Sequence, residues 1–174
     1  MSKLKNVRVL TTTSMMIAIA IILGFFKIPI TNVIEIRFSQ IPIAMESALF
    51  GPILGAIVGA LADIGGYIVK PTGPYFPGFT ISGLVSGLIF SLVLYKKEIS
   101  LKRVLLAEIL YTLIVGLGFN TLWLSILYGN TFWAFLMMRL AKELIMIPIN
   151  TALMMVILKP VSITSFFKQS VSIQ

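Results

Sequence analysis

Long apolar runs constrain this chain more than any other feature. Residues 9–26, 52–69, 78–95, 104–127 and 131–158 are each predominantly apolar over a length that matters. A bilayer's hydrocarbon core is about 30 Å thick, and a helix crosses it with roughly 20 mostly apolar residues. The stretch 38–69 is too long for one crossing and is interrupted at Phe50-Gly51-Pro52. Glycine suits the end of one helix and proline the first turn of the next. This predicts a short helix over 39–50 and a separate one over 52–69. The expectation is an all-α integral membrane protein: a six-transmembrane-helix bundle forming one domain over residues 1–174.

Composition agrees with lipid as the solvent. The chain is 58% hydrophobic and 11% charged, with a mean hydropathy of +1.03, whereas soluble domains are nearer half apolar and a quarter charged. Ala18-Ile19-Ala20 reads like a signal-peptide cleavage site, but apolar character continues to Phe26, so a retained first helix is expected. No internal repeat or inverted pair of halves is visible, which argues against a self-contained secondary transporter.

A net charge of +8 would suggest nucleic acid in a soluble protein. Here sorting the basic residues by side explains it better. Lys3, Lys5, Arg8, Lys96, Lys97, Lys102, Arg103, Lys159 and Lys168 fall on one side, and Lys27, Arg37 and Lys70 on the other. The positive-inside rule then predicts both termini in the cytoplasm, with the lipid bilayer and no nucleic acid as partner.

Absent residues exclude chemistries. With no Cys and no His there is no disulfide scaffold, no Cys/His zinc site and no Cys–His or Ser–His nucleophile system. No Gly-Lys-Ser/Thr occurs, so a phosphate-binding loop is missing and any ATP hydrolysis must come from a partner. The reading is a binding protein, not an enzyme, with no cofactor.

Glu46, Asp63, Glu108, Asn120, Arg139, Lys142, Glu143 and Asn150 interrupt the apolar runs. Each is costly in lipid unless paired or facing a cavity. At about 1.5 Å per residue, Asp63, Asn120 and Arg139 fall roughly 9, 10 and 12 Å from the outer ends of their helices. Similar depth on three helices suggests a pocket opening outward. A mutually satisfied network, for example Arg139 with Glu143 four residues on, is the alternative.

The outer loop Lys70-Pro71-Thr72-Gly73-Pro74-Tyr75-Phe76-Pro77-Gly78-Phe79-Thr80 is stiffened by proline and carries the flat rings of Tyr75, Phe76 and Phe79. It could cover the pocket and stack on a planar ligand. An interfacial aromatic belt would use similar rings, but without such density of Pro and Gly. Asn120, Thr121 and Trp123 offer an amide, a hydroxyl and an indole nearby. Small residues also recur every fourth position, as in Gly51, Gly55, Gly59 and Asp63, and in Ser14 with Ala18. Such faces let helices approach closely, within the chain or against a partner in the membrane.

Gly73-Pro74-Tyr75-Phe76-Pro77-Gly78-Phe79-Thr80 followed by Ser82-Gly83 resembles the folate family of S components of energy-coupling factor (ECF) transporters. Gly59-Ala60-Leu61-Ala62-Asp63-Ile64-Gly65-Gly66, Phe119-Asn120-Thr121-Leu122-Trp123-Leu124, and Arg139 with Lys142 ahead of Pro148-Ile149-Asn150-Thr151 support it. The resemblance implies a high-affinity vitamin-binding subunit that works with an ECF module, a transmembrane T subunit plus two ATPase subunits. It implies a site capped by the loops joining helices one to two and three to four. The family's Ala-x-x-x-Ala docking pattern falls on Ser14 and Ala18, with Ser in place of one Ala.

Folate chemistry can be set against these residues. Its pterin ring would take stacking from Tyr75, Phe79 or Trp123, and Asp63 or Asn120 could read its edge. Its anionic glutamate tail would favour Arg37, Lys70, Arg139 or Lys142. The candidate substrate-binding set is therefore Arg37, Asp63, Tyr75, Phe76, Phe79, Thr80, Asn120, Trp123, Arg139 and Lys142, with Ser14 and Ala18 for docking. Another planar vitamin or precursor, such as thiamine or a deazapurine, and a purely structural membrane subunit are the alternatives.

Overall fold

The computed structural model describes residues 7–26, 28–31, 34–36, 38–71, 73–129 and 131–163. Six helices follow the order of the apolar runs: α1 (Val7–Phe25), α2 (Gln40–Phe50), α3 (Pro52–Val69), α4 (Pro77–Leu94), α5 (Leu101–Tyr128) and α6 (Phe132–Ile163). Five of them are long and apolar enough to cross a membrane. The six expected helices are present among the described residues, and the one that is not a candidate span is α2. With 11 residues, α2 is roughly 16 Å long at the usual rise and falls short of the hydrocarbon core.

The short α2 follows from Gly51. Its φ of +94° lies where side-chain-bearing residues are strained, and an added Cβ would meet the Tyr95 ring at 3.0 Å. Only glycine fits both conditions, and Pro52 then opens α3 at its first position.

Three further details depart from the expected elements. The polar connection after α1 forms an antiparallel hairpin, β1 (Ile28–Thr31) with β2 (Ile34–Ile36), irregular between Pro29 and Thr31. Proline has no N–H to donate to a ladder. Next, α6 does not stop at Pro160 but runs through Pro148 and Pro160 to Ile163. Proline is tolerated in membrane helices where neighbouring groups take up the freed carbonyl, and only one turn follows Pro160. Last, α5 starts at Leu101, and its middle, Thr112–Phe119, is wound as a π-helix. The Thr121 hydroxyl donates to the Gly116 carbonyl at 3.5 Å, within that wider winding.

The small-residue face of α3 is used inside the chain. A Cβ at Gly59 would sit 2.0 Å from the Gly83 carbonyl oxygen, and one at Gly87 would sit 2.2 Å from that of Gly55. Two glycine pairs thus bring the α3 and α4 backbones into contact, as small-residue interfaces do in lipid. Ser47 on α2 adds a hydrogen bond to the Gly87 carbonyl at 3.0 Å.

Packing divides the bundle along its length. Around the 95–100 loop the interior is mostly apolar: Ala44, Ala48, Val58, Phe90, Leu94, Val104, Ala107 and Met154 form one buried cluster. Glu46 is held there by the Thr13 hydroxyl of α1. Toward the 70–76 loop the interior turns polar, and a cavity replaces the core.

Candidate functional site

All six helices contribute to a cavity of about 180 Å³ beneath the 70–76 loop. Aromatic rings collect near the loop: Tyr67, Tyr75, Phe76, Phe79 and Tyr128 line this part. Tyr67 and Tyr75 lie 5.1 Å apart, centroid to centroid, with tilted planes. Gly73, at φ +93°, turns the chain just before Tyr75.

The opposite wall comes from α6. Its helical spacing puts Arg139, Lys142, Glu143, Met146 and Asn150 on the cavity side, following the i, i+3, i+4, i+7 rule. The Glu143 carboxylate accepts from Arg139 Nη2 at 3.3 Å and from Lys142 Nζ at 2.8 Å. On this wall two cations share one carboxylate, while Asp63 brings a second carboxylate to the cavity from α3. Gly116 makes room for Glu143: a Cβ there would stand 3.2 Å from the Glu143 carboxyl carbon.

A second polar group joins three helices. Glu108 Oε1 accepts from Gln40 Nε2 at 3.1 Å and from Asn150 Nδ2 at 2.9 Å. Gln40 and Asn150 line the cavity, while Glu108 is 1% exposed behind them. Both amides donate through their nitrogens, so this contact fixes which end of each amide faces α5.

Seven of the ten predicted binding residues line this one cavity: Asp63, Tyr75, Phe76, Phe79, Asn120, Arg139 and Lys142. Thr80 and Trp123 stand behind the lining. Thr80 Oγ1 donates to Asp63 Oδ2 at 3.0 Å and lies 2.9 Å from the Tyr75 hydroxyl. The Trp123 ring packs on Phe76 at 5.7 Å, and its indole N–H donates to Ser82 Oγ at 3.0 Å. Arg37 lies outside the described residues. Lys70 is directed elsewhere: its ammonium donates to the Phe25 carbonyl at 3.2 Å and sits over the Phe25 ring. Ser14 and Ala18 are both exposed on α1.

Several cavity residues escaped the sequence reading. Glu143 was anticipated only as a neutralising partner of Arg139; it is that, and it also lines the cavity. Ser82 entered only through the Ser82-Gly83 match, and Gln40, Tyr67 and Tyr111 carried no motif. Their one available signal was a polar or phenolic group within an apolar helix.

Residues 8–158 match the family described as ECF transporter, substrate-specific component. The chain is 43% identical over 147 residues to the folate transporter FolT of Clostridium novyi, covering 84% of this chain and 86% of that protein. It is 33% identical over 129 residues to FolT of Leuconostoc mesenteroides, covering 71% and 70%. Its fold superposes on a crystal structure of FolT bound with folic acid with a TM-score of 0.77, at 33% identity, over 84% of this chain and 91% of that one. Members of this family are membrane-embedded transporter components, and five apolar helices of spanning length fit that setting. The chain therefore belongs to the family of substrate-specific components of ECF transporters.

Proposed function

We propose that this chain is the folate-capturing S component of an ECF-type importer. One observation carries the reading: a single cavity holds a cluster of aromatic rings under its loop and a wall where the cations of Arg139 and Lys142 stand together on one carboxylate. Folate needs both, since its pterin is planar and its glutamate tail is anionic. Similarity to FolT, including the folic acid complex, supports the same ligand. Thiamine carries a positive charge of its own, so the Arg139–Lys142 wall opposes it.

Six lining groups are assigned to ligand contact: Tyr75, Phe76 and Phe79 for the ring, Asn120 for a polar edge, and Arg139 and Lys142 for the carboxylates. Trp123 and Thr80 support them from behind. The whole chain acts as one transmembrane substrate-binding domain with both termini in the cytoplasm. Nine basic residues on the terminal side against three on the other support this orientation. Folate then enters from outside, beneath the 70–76 loop.

Energy comes from an ECF module of a transmembrane subunit and two ATPases, which the family assignment supports. The exposed Ser14–Ala18 face of α1 is the docking surface, because two small residues one turn apart allow close backbone approach. Mass spectrometry of the ligand that co-purifies with the chain tests the assignment. Folate or a reduced folate is expected; a non-pterin ligand retained in its place would refute it.

A further inference from the structure

From the sequence, Asp63 is a candidate for the ligand's edge and Thr80 has no distinct task. The geometry points to another arrangement: Asp63 and Thr80 are positioning residues that hold Tyr75 over the cavity through a one-way chain of hydroxyl hydrogen bonds. Thr80 Oγ1 donates to Asp63 Oδ2 at 3.0 Å, and the Tyr75 hydroxyl lies 2.9 Å from Thr80 Oγ1. Thr80 has a single hydroxyl hydrogen, and a carboxylate offers none. The Thr80 proton is committed to Asp63, so the Tyr75 phenol must donate to Thr80. Hydrogen bonds ending on a charged acceptor are roughly twice as strong as neutral ones, and linked bonds polarise one another.

Placement makes this chain consequential. Asp63 belongs to α3, Thr80 to the first turns of α4, and Tyr75 to the loop between them. The Tyr75 ring lines the cavity on one side yet remains 44% exposed, which is the position of a cover. Its ring touches Tyr67, a contact that phenylalanine could make equally well. The hydroxyl is therefore accounted for by Thr80 and Asp63. Phe76, next in the chain, is fastened separately by apolar contact with Trp123 and Phe79. The loop thus has an apolar anchor at Phe76 and a polar latch at Tyr75, and the latch is the part that a small shift of α3 against α4 would break.

This inference rests on folate capture for its kinetic readout but not for its structural one. Tyr75→Phe, Thr80→Val and the double variant are made in the full-length chain and studied in detergent. Folate dissociation is followed by tryptophan fluorescence, and amide exchange of residues 73–76 is measured without ligand. Each single variant is expected to dissociate roughly tenfold faster, and the double variant no faster than either, as for one shared interaction. Loop amides should exchange faster in both singles, with Asp63→Asn, which keeps an acceptor, intermediate. An effect of Tyr75→Phe without one of Thr80→Val would mean that the phenol meets the ligand directly and would overturn the latch. Additive effects, or unchanged amide exchange in folded variants, would overturn it too. Failure of the native chain to bind folate would refute the ligand assignment, while the ligand-free exchange would still decide the latch.

Discussion

Replacing Gly59 by alanine is the sharpest test of how the cavity is framed. The added methyl would sit 2.0 Å from the Gly83 carbonyl oxygen, whereas ordinary contact begins at 3.4 Å. The two backbones would have to part by more than 1 Å, and neither can yield by rotating a side chain. Forced overpacking of this kind costs about 1–3 kcal/mol, sometimes more. The damage should also spread one turn along, where α3 carries Asp63 and α4 carries Phe79 and Thr80. Gly66→Ala is the matched control, because a Cβ there meets nothing within 4 Å, and alanine is otherwise the better helix former. Thermal unfolding in detergent, with folate binding measured alongside, should show Gly59→Ala clearly destabilised and Gly66→Ala at or above native stability. Equal stability of the two variants would refute the close α3–α4 contact and the reasoning built on it.

Other perturbations separate the parts of the site. Arg139→Met should weaken folate binding by roughly 10- to 100-fold, the worth of a charge-assisted hydrogen bond. The fold should persist, because Lys142 still pairs with Glu143 at 2.8 Å; titration calorimetry and an unfolding curve check both statements. Trp123→Phe removes the indole donor to Ser82 while leaving a ring against Phe76, and about 1 kcal/mol of affinity should be lost, read as roughly fivefold in Kd. Ala18→Trp places a bulky ring on the exposed face of α1. It should abolish co-purification with the ECF module while leaving folate affinity within about twofold, and intact assembly would contradict the docking assignment.

How much of this was legible in the sequence depends on which residues lipid constrains. Helices could be located because every spanning segment must be apolar and must satisfy its backbone internally, and Gly51-Pro52 marked the α2–α3 break. The glycine face of α3 announced close packing, but nothing in its spacing said that α4 was the partner; Gly83 and Gly87 answer it across 24 to 32 residues of chain. The π-helical turns at Thr112–Phe119 were invisible, since such winding is set by packing on neighbouring helices rather than by local preference. Arg139, Lys142 and Asn120 stood out because charge and amide are expensive in apolar helices. Gln40 did not, because it sits at the first residue of α2, where a polar residue is ordinary. Its place in the site depends on Glu108, 68 positions away.

Similarly, the Arg139–Glu143 pair was anticipated as an alternative to a ligand site, yet the structure has both. The ion pair exists at 3.3 Å, and Lys142 shares the same carboxylate. Two cations standing together on one carboxylate, rather than the pairing itself, is what links that wall to an anionic ligand.

Calorimetric titration of the purified full-length chain with folate tests the central claim most directly. The account predicts one site per chain, nanomolar-class affinity and competition by reduced folates. No heat on titration, together with no displacement of a bound ligand by folate, would contradict it.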